Sequence, residues 1–175
     1  MRVHTWTLMV AAITAGASCS APARSARLVG QVAPDFVATS PDGSTFQLSS
    51  LRGRIVVLDL WASWCDGCEE ELPILDNLAR RIAPLGAKVV SVAIDEDASQ
   101  PLRILRRRAW SMTVLYEASG ALGDVYAPAK MPMVLVIDAD GFVRDQKYAL
   151  TETDIHDLEQ RVKALSARSS TGGTR

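Results

Sequence analysis

Apolar positions along the chain fall into three patterns: short alternating runs, continuous runs of strand length, and stretches spaced three and four apart. Residues 35–48, "DFVATSPDGSTFQL", place a Pro-Asp-Gly turn between two short alternating runs, which predicts a hairpin. Residues 54–62, "RIVVLDLWA", are nearly continuous apolar sequence, as expected of a central strand covered on both faces. From Cys65 to Ile82 the spacing of Leu72, Leu75, Leu78 and Ile82 is helical, with Arg80 and Arg81 in the last turn and Pro84 beyond. Residues 88–94 predict a second buried strand and 99–109 a further helix. Residues 133–138 and 142–148 flank Ala139-Asp140-Gly141 as a second hairpin, and Ile155, Leu158, Val162 and Leu165 stripe a closing helix. The order predicts an α/β layer with helices on both faces of a mixed sheet, its parallel pair joined by a right-handed crossover.

The two ends lack this patterning. Arg2 followed by the apolar run Leu8–Ala17 is of the signal-peptide kind, and it is shorter than the roughly 20 apolar residues a membrane span needs. Residues 1–19 are therefore expected to direct export. "GASC", ending at Cys19, resembles the lipobox of bacterial lipoproteins, with Gly16 where that pattern usually has Leu. Lipidation at Cys19, cleavage after Ala23, and a leftover thiol without a role all remain open. Residues 20–28 read as a linker and 168–175 as a disordered tail, leaving 29–167 as one domain. The formal net charge of −1 supplies no global basic field for nucleic acid. Arg103 and Arg106–Arg108 form the only basic cluster and read as the solvated face of a helix.

Two of the three cysteines stand in "WASWCDGCEEELP", residues 61–73. Cys65-x-x-Cys68 spacing serves metal clips, structural disulfides and redox centres alike. Zinc normally takes four ligands, and after export only His156, on the closing helix, would remain as a histidine. A structural disulfide closing so short a loop constrains the unfolded chain very little. Copper carriers of related fold use one more residue between the cysteines. A strand-to-helix position favours redox chemistry, because orphan N–H groups and the helix dipole stabilise thiolate. Cys65 is then the nucleophile and Cys68, one turn along, the resolving thiol.

"WASWCDGC" followed by Pro73 is similar to the thioredoxin-family motif. "APDF", "DG", "LRGRIVVLDLWASWC" and "MPMVLVIDADG", in that order, resemble the TlpA/ResA-like thiol–disulfide oxidoreductases of bacteria over residues 32–165. The resemblance implies a thioredoxin-like three-layer sandwich: a mixed central sheet, helices on both faces and an added N-terminal β-hairpin. It implies an exported enzyme that exchanges disulfides with protein substrates and needs no cofactor or metal. Its place would be the periplasmic side of a bacterial envelope, as a monomer, with a membrane electron donor upstream and any membrane contact made through lipid on Cys19. Supply of reduced haem-attachment cysteines is one role in that family.

Carried over residue by residue, Asp59, six positions before Cys65, matches a buried acid that accepts the Cys68 proton; otherwise it is a carboxylate paired in the core. Glu71 matches an acid that tunes the cysteines, or else, with Glu69 and Glu70, it favours the first helical turn. Met131–Pro132 matches a cis-proline whose preceding backbone presents itself to an extended substrate strand, against an ordinary trans proline. Met131 replaces the Thr or Val-like residue common there. Trp64 is expected on the apolar rim of the thiols and Trp61 inside. Asp66-Gly67 departs from the family's proline or histidine, and the Asp66 charge opposes thiolate, which favours a reductant over a strong oxidant. Two other classes stand beside this one. A peroxidase would carry Thr and Pro where Ala62 and Leu58 stand, and a copper-delivery module would bind metal without redox turnover.

Overall fold

A computed structural model describes residues 28–171. The signal segment, Cys19, nearly all of the linker and residues 172–175 lie outside the described residues. The strands are β1 (Val37–Thr39), β2 (Thr45–Gln47), β3 (Val56–Trp61), β4 (Lys88–Ala93), β5 (Thr113–Tyr116), β6 (Met133–Ile137) and β7 (Val143–Tyr148). The helices are α1 (Cys68–Ile82), α2 (Ser99–Leu105), α3 (Ala121–Tyr126) and α4 (Glu152–Thr171). One seven-stranded sheet has the order β2-β1-β5-β4-β3-β6-β7. Strands β3, β4 and β5 are parallel, and the remaining neighbours are antiparallel.

The layering follows from handedness. Moving from β3 to β4 to β5 steps the same way across the sheet, so two right-handed crossovers place α1 and α2 on one face. That face is the core cluster of Val57, Trp61, Cys68, Leu72, Leu75 and Leu78 with Ile104, Leu105, Ile155 and Leu158, from α1, α2 and α4. The next connection reverses, from β5 back past β3 to β6, and its helix α3 covers the other face through Leu122 and Tyr126, beside Leu28, Ala33 and Leu48. All six residues of β3 are buried, as a strand covered on both sides requires.

Three expectations change. Strand β5 and helix α3 were not evident in the pattern, and β5 is what joins the N-terminal hairpin to the sheet. Helix α2 stops at Leu105, because the Trp110 indole N–H donates to the Leu105 carbonyl at 2.8 Å and turns the chain away. The arginine run therefore follows the helix, and its side chains are engaged. Arg106 donates to the Pro41 carbonyl, Arg107 pairs with Glu69, and Arg108 pairs with Asp76 while lying 4.2 Å from the Trp110 ring centroid. Lastly, α4 runs into residues 168–171, which composition assigns to the tail, with Arg168 favourably placed at its C-terminal end.

Asp76, 1 % exposed within α1, ties these parts together. It accepts the N–H groups of Ser111 and Met112 as well as Arg80 and Arg108. Burial pushes its carboxyl up, but the Ser111 and Met112 amides and Arg80 outweigh that and hold it below the ordinary value. Asp76→Ala would orphan two backbone donors and two guanidinium contacts, an expected loss of about 3 kcal/mol in chemical denaturation. A change below about 0.5 kcal/mol, the range of ordinary surface substitutions, would contradict this role.

Candidate active site

Strand β3 delivers the cysteines to the C-terminal ends of the parallel strands. After Trp61 the chain turns, with the Cys65 N–H donating to the Ala62 carbonyl at 3.2 Å and the Cys68 N–H to the Cys65 carbonyl at 3.3 Å. Gly67 has φ +83°, a left-handed conformation that glycine adopts without steric cost, and the helix begins only at Cys68. Cys65 thus precedes the helix by three residues instead of opening it. Cys65 and Cys68 form a disulfide, with Cα atoms 5.6 Å apart. Cys65 is half-buried beside Trp64, which is 68 % exposed, whereas Cys68 is 1 % exposed. The outer sulfur is the reachable one.

Asp59 lies beneath the pair. Alternation along β3 puts it on the face of Val57 and Trp61, whose cluster contains Cys68 and Leu72. Its neighbours across the sheet are Ser91 on β4 and Val134 on β6. The Ser91 hydroxyl donates to Oδ2 at 2.7 Å, while Oδ1, like the Nε1 of buried Trp61, has no hydrogen-bond partner. Burial pushes the Asp59 carboxyl up to about 8; the Ser91 bond works against this and the Glu71 charge adds to it. A carboxyl in this state can take up and return a proton near neutral pH.

Glu71 is buried in the first turn of α1 and accepts the Leu150 N–H at 3.1 Å. Burial raises its carboxyl too, opposed by the Leu150 bond and helped by the charge of Asp154. Glu69 and Glu70 on the same turn are exposed. Burial thus separates Glu71 from its neighbours, which sit in solvent as first-turn acids commonly do.

The Met131–Pro132 peptide is cis. Pairing of Leu60 with Met133 sets Pro132 level with Trp61, next to the cysteine turn. Met131, Leu150 and Cys65 all pack, partly buried, on the cluster that holds Cys68. The Pro132 carbonyl accepts the Ala149 N–H at 3.4 Å, so one loop, Ala149–Leu150, touches both the proline and Glu71. Asp66 is exposed, which lets water screen its charge. The structure therefore brings Asp59, Trp64, Cys65, Cys68, Glu71, Met131 and Pro132 to one end of the sheet.

Two features were not anticipated. Ser63 and Asp95 clamp the cysteine turn, and an aspartate closing a parallel strand was the available signal. Ala149 has φ +48°, which an alanine in sequence does not announce. Among the described residues, no group of three or more His, Cys, Asp or Glu is placed to hold a metal ion. Nor is any described helix long and apolar enough to cross a membrane.

Comparison with known proteins agrees with this geometry. A ResA thiol–disulfide oxidoreductase of Oceanobacillus iheyensis is 31 % identical over 121 residues, 67 % of this chain and 63 % of the relative, so the chain spans just under two thirds of that protein. The Bacillus subtilis ResA is 27 % identical over 135 residues, 77 % of this chain and 75 % of the relative. A Chlorobium tepidum crystal structure described as a thiol:disulfide interchange protein DsbE superposes with a TM-score of 0.70 at 30 % identity, covering 77 % of this chain and 95 % of that one. The AhpC/TSA family profile matches residues 29–146. The match over residues 29–146 shows that this chain, whose bonded Cys65–Cys68 pair follows its central strand, belongs to the AhpC/TSA family.

Proposed function

We propose that the protein is an exported thiol–disulfide oxidoreductase that reduces disulfides in other proteins. The observation that carries the direction is the company the disulfide keeps. Asp59, Glu71 and Asp95 are buried around it, and among the described residues no Lys, Arg or His is buried anywhere. No buried cation among the described residues stabilises a thiolate here, and any of these carboxyls that is ionised opposes one; a dithiol whose thiolate is poorly stabilised is a stronger reductant.

In the reducing direction the Cys65 thiolate attacks one sulfur of a substrate disulfide. A mixed disulfide forms and the other substrate sulfur leaves as thiolate. Cys68 then gives its proton to Asp59 and attacks the Cys65 sulfur, which releases the second substrate thiolate and closes the Cys65–Cys68 bond. Two electrons have passed to the substrate, and a membrane donor would return the pair to the dithiol. Trp64 supplies the apolar surface and the Met131 backbone an edge for an extended substrate segment. Residues 1–19 direct export, with the protein held on the periplasmic side by lipid on Cys19 or freed there by cleavage after Ala23.

The test is the midpoint potential of the pair in redox buffers. A value near or below about −250 mV is expected, on the thioredoxin side of the known range. A value above about −180 mV would make the protein an oxidant or isomerase. Stoichiometric metal binding at Cys65/Cys68 without disulfide reduction would instead favour a copper-delivery module.

A further inference from the structure

Strands β3 and β4 stay in register to Trp61 and Ala93, and the Ile94 N–H still donates to the Trp61 carbonyl at 2.9 Å. Beyond that point a side chain takes over the ladder. The Ser63 N–H donates to Asp95 Oδ1 and Oδ2 at 3.1 and 3.0 Å, and the Ser63 hydroxyl donates to Oδ1 as well. Asp95 replaces the backbone carbonyl that a continuing strand would offer, which lets the chain leave the sheet and still be held. It is 5 % exposed, and among the described residues only Ser63 donates to its side chain. A buried carboxylate without a cation is costly to desolvate, so a backbone-like tether alone is a poor reason to keep one.

We propose that Asp95 is a positioning residue for Cys65: it fixes the turn on which Cys65 stands, and its buried charge holds back thiolate formation there. Two residues span at most about 7 Å, which puts the carboxylate within about 10 Å of the Cys65 backbone, no farther than a Debye length at 0.1 M salt. Asp95 is itself buried, and a charge withdrawn from water acts more strongly than one in it. Of the other acids of this end, Asp59 and Glu71 are buried and their carboxyls are raised, Asp66, Glu70, Glu96 and Asp97 are exposed to solvent, and Glu69 is paired with Arg107. The inference rests on Cys65 being the attacking thiol, and not on the direction of electron flow.

Asp95→Asn tests it in the full protein, because the amide oxygen still accepts from Ser63 while the charge is gone. The reduced protein is alkylated with iodoacetamide at pH 7, and mass spectrometry follows Cys65 and Cys68 separately. We expect Cys65 to react about fivefold faster in the variant, an effect within reach of one charge at this distance. The exchange equilibrium with glutathione should move in the same sense, toward the dithiol, by a smaller factor than the rate. Ser63→Ala provides the opposite sign: it removes a donor that shares the charge and should slow Cys65 about twofold. Should the Asn variant fail to fold by circular dichroism, Ser63→Ala decides alone. Cys65 alkylated first, but at rates neither variant changes in these directions, overturns the role of Asp95 only. Cys68 alkylated first in the unaltered protein overturns the assignment of the nucleophile as well.

Discussion

Cys68→Ser is expected to accumulate as mixed disulfides with protein substrates, while catalysed reduction of a disulfide such as that of insulin falls to the uncatalysed background. The reason lies in unequal access. Cys65 is half-buried beside exposed Trp64, and Cys68 is 1 % exposed, so an outside sulfur reaches the first and only an internal attack can use the second. Removing Cys68 leaves the first exchange intact and deletes the step that releases the substrate. Cys65→Ser should give neither adduct nor turnover. Non-reducing electrophoresis followed by mass spectrometry of the Cys65 peptide reads both results. A Cys68→Ser protein that still turns over, or that captures no partner, would sink the division of labour between the two thiols.

What could be read from sequence follows where local chemistry and global packing agree. Strands β3, β4 and β6 announce themselves because burial on both faces demands long apolar runs, and "VVLDLW" has little other use. Asp59, the acid within that run, is singled out by the family resemblance, and the fold buries it as that resemblance implies. Strand β5 stayed hidden: four residues after an arginine run have weak local signal, and their extended shape comes from pairing with β4 and β1. The start of α1 was misplaced because apolar spacing continues smoothly through Leu72 and Leu75, whereas the helix boundary is decided by the left-handed Gly67. Glu71 shows the same limit on a side chain. Local pattern does not separate three successive glutamates; the family resemblance points to the third, and the fold sets it apart by burial and by the Leu150 N–H, brought in by a loop 79 residues away.

Asp59→Asn is expected to flatten the pH dependence of stability and to slow resolution at Cys68. Burial holds this carboxyl at about 8 in the fold, against about 3.9 in an unfolded chain. Between those values the folded protein keeps a proton that the unfolded chain has released. Its contribution is therefore full below about pH 4, declines as pH rises, and is gone above about pH 8. The slope is about 1.4 kcal/mol per pH unit, so the protein should lose about 4 kcal/mol between pH 5 and pH 8 in urea unfolding of the oxidised form. The Asn variant should lose much less, and what remains reports Glu71, whose carboxyl is raised in the same direction. A flat profile in the unaltered protein would contradict the buried state of Asp59. The instability has a chemical use. A carboxylate of ordinary acidity is some four units too weak a base for a thiol near 8.5, whereas one raised to about 8 is nearly matched. Resolution should accelerate with pH up to about 8 in the unaltered protein and drop on the order of a hundredfold in Asp59→Asn. Equal rates of mixed-disulfide release in the two proteins would leave Asp59 a core residue with no part in proton transfer.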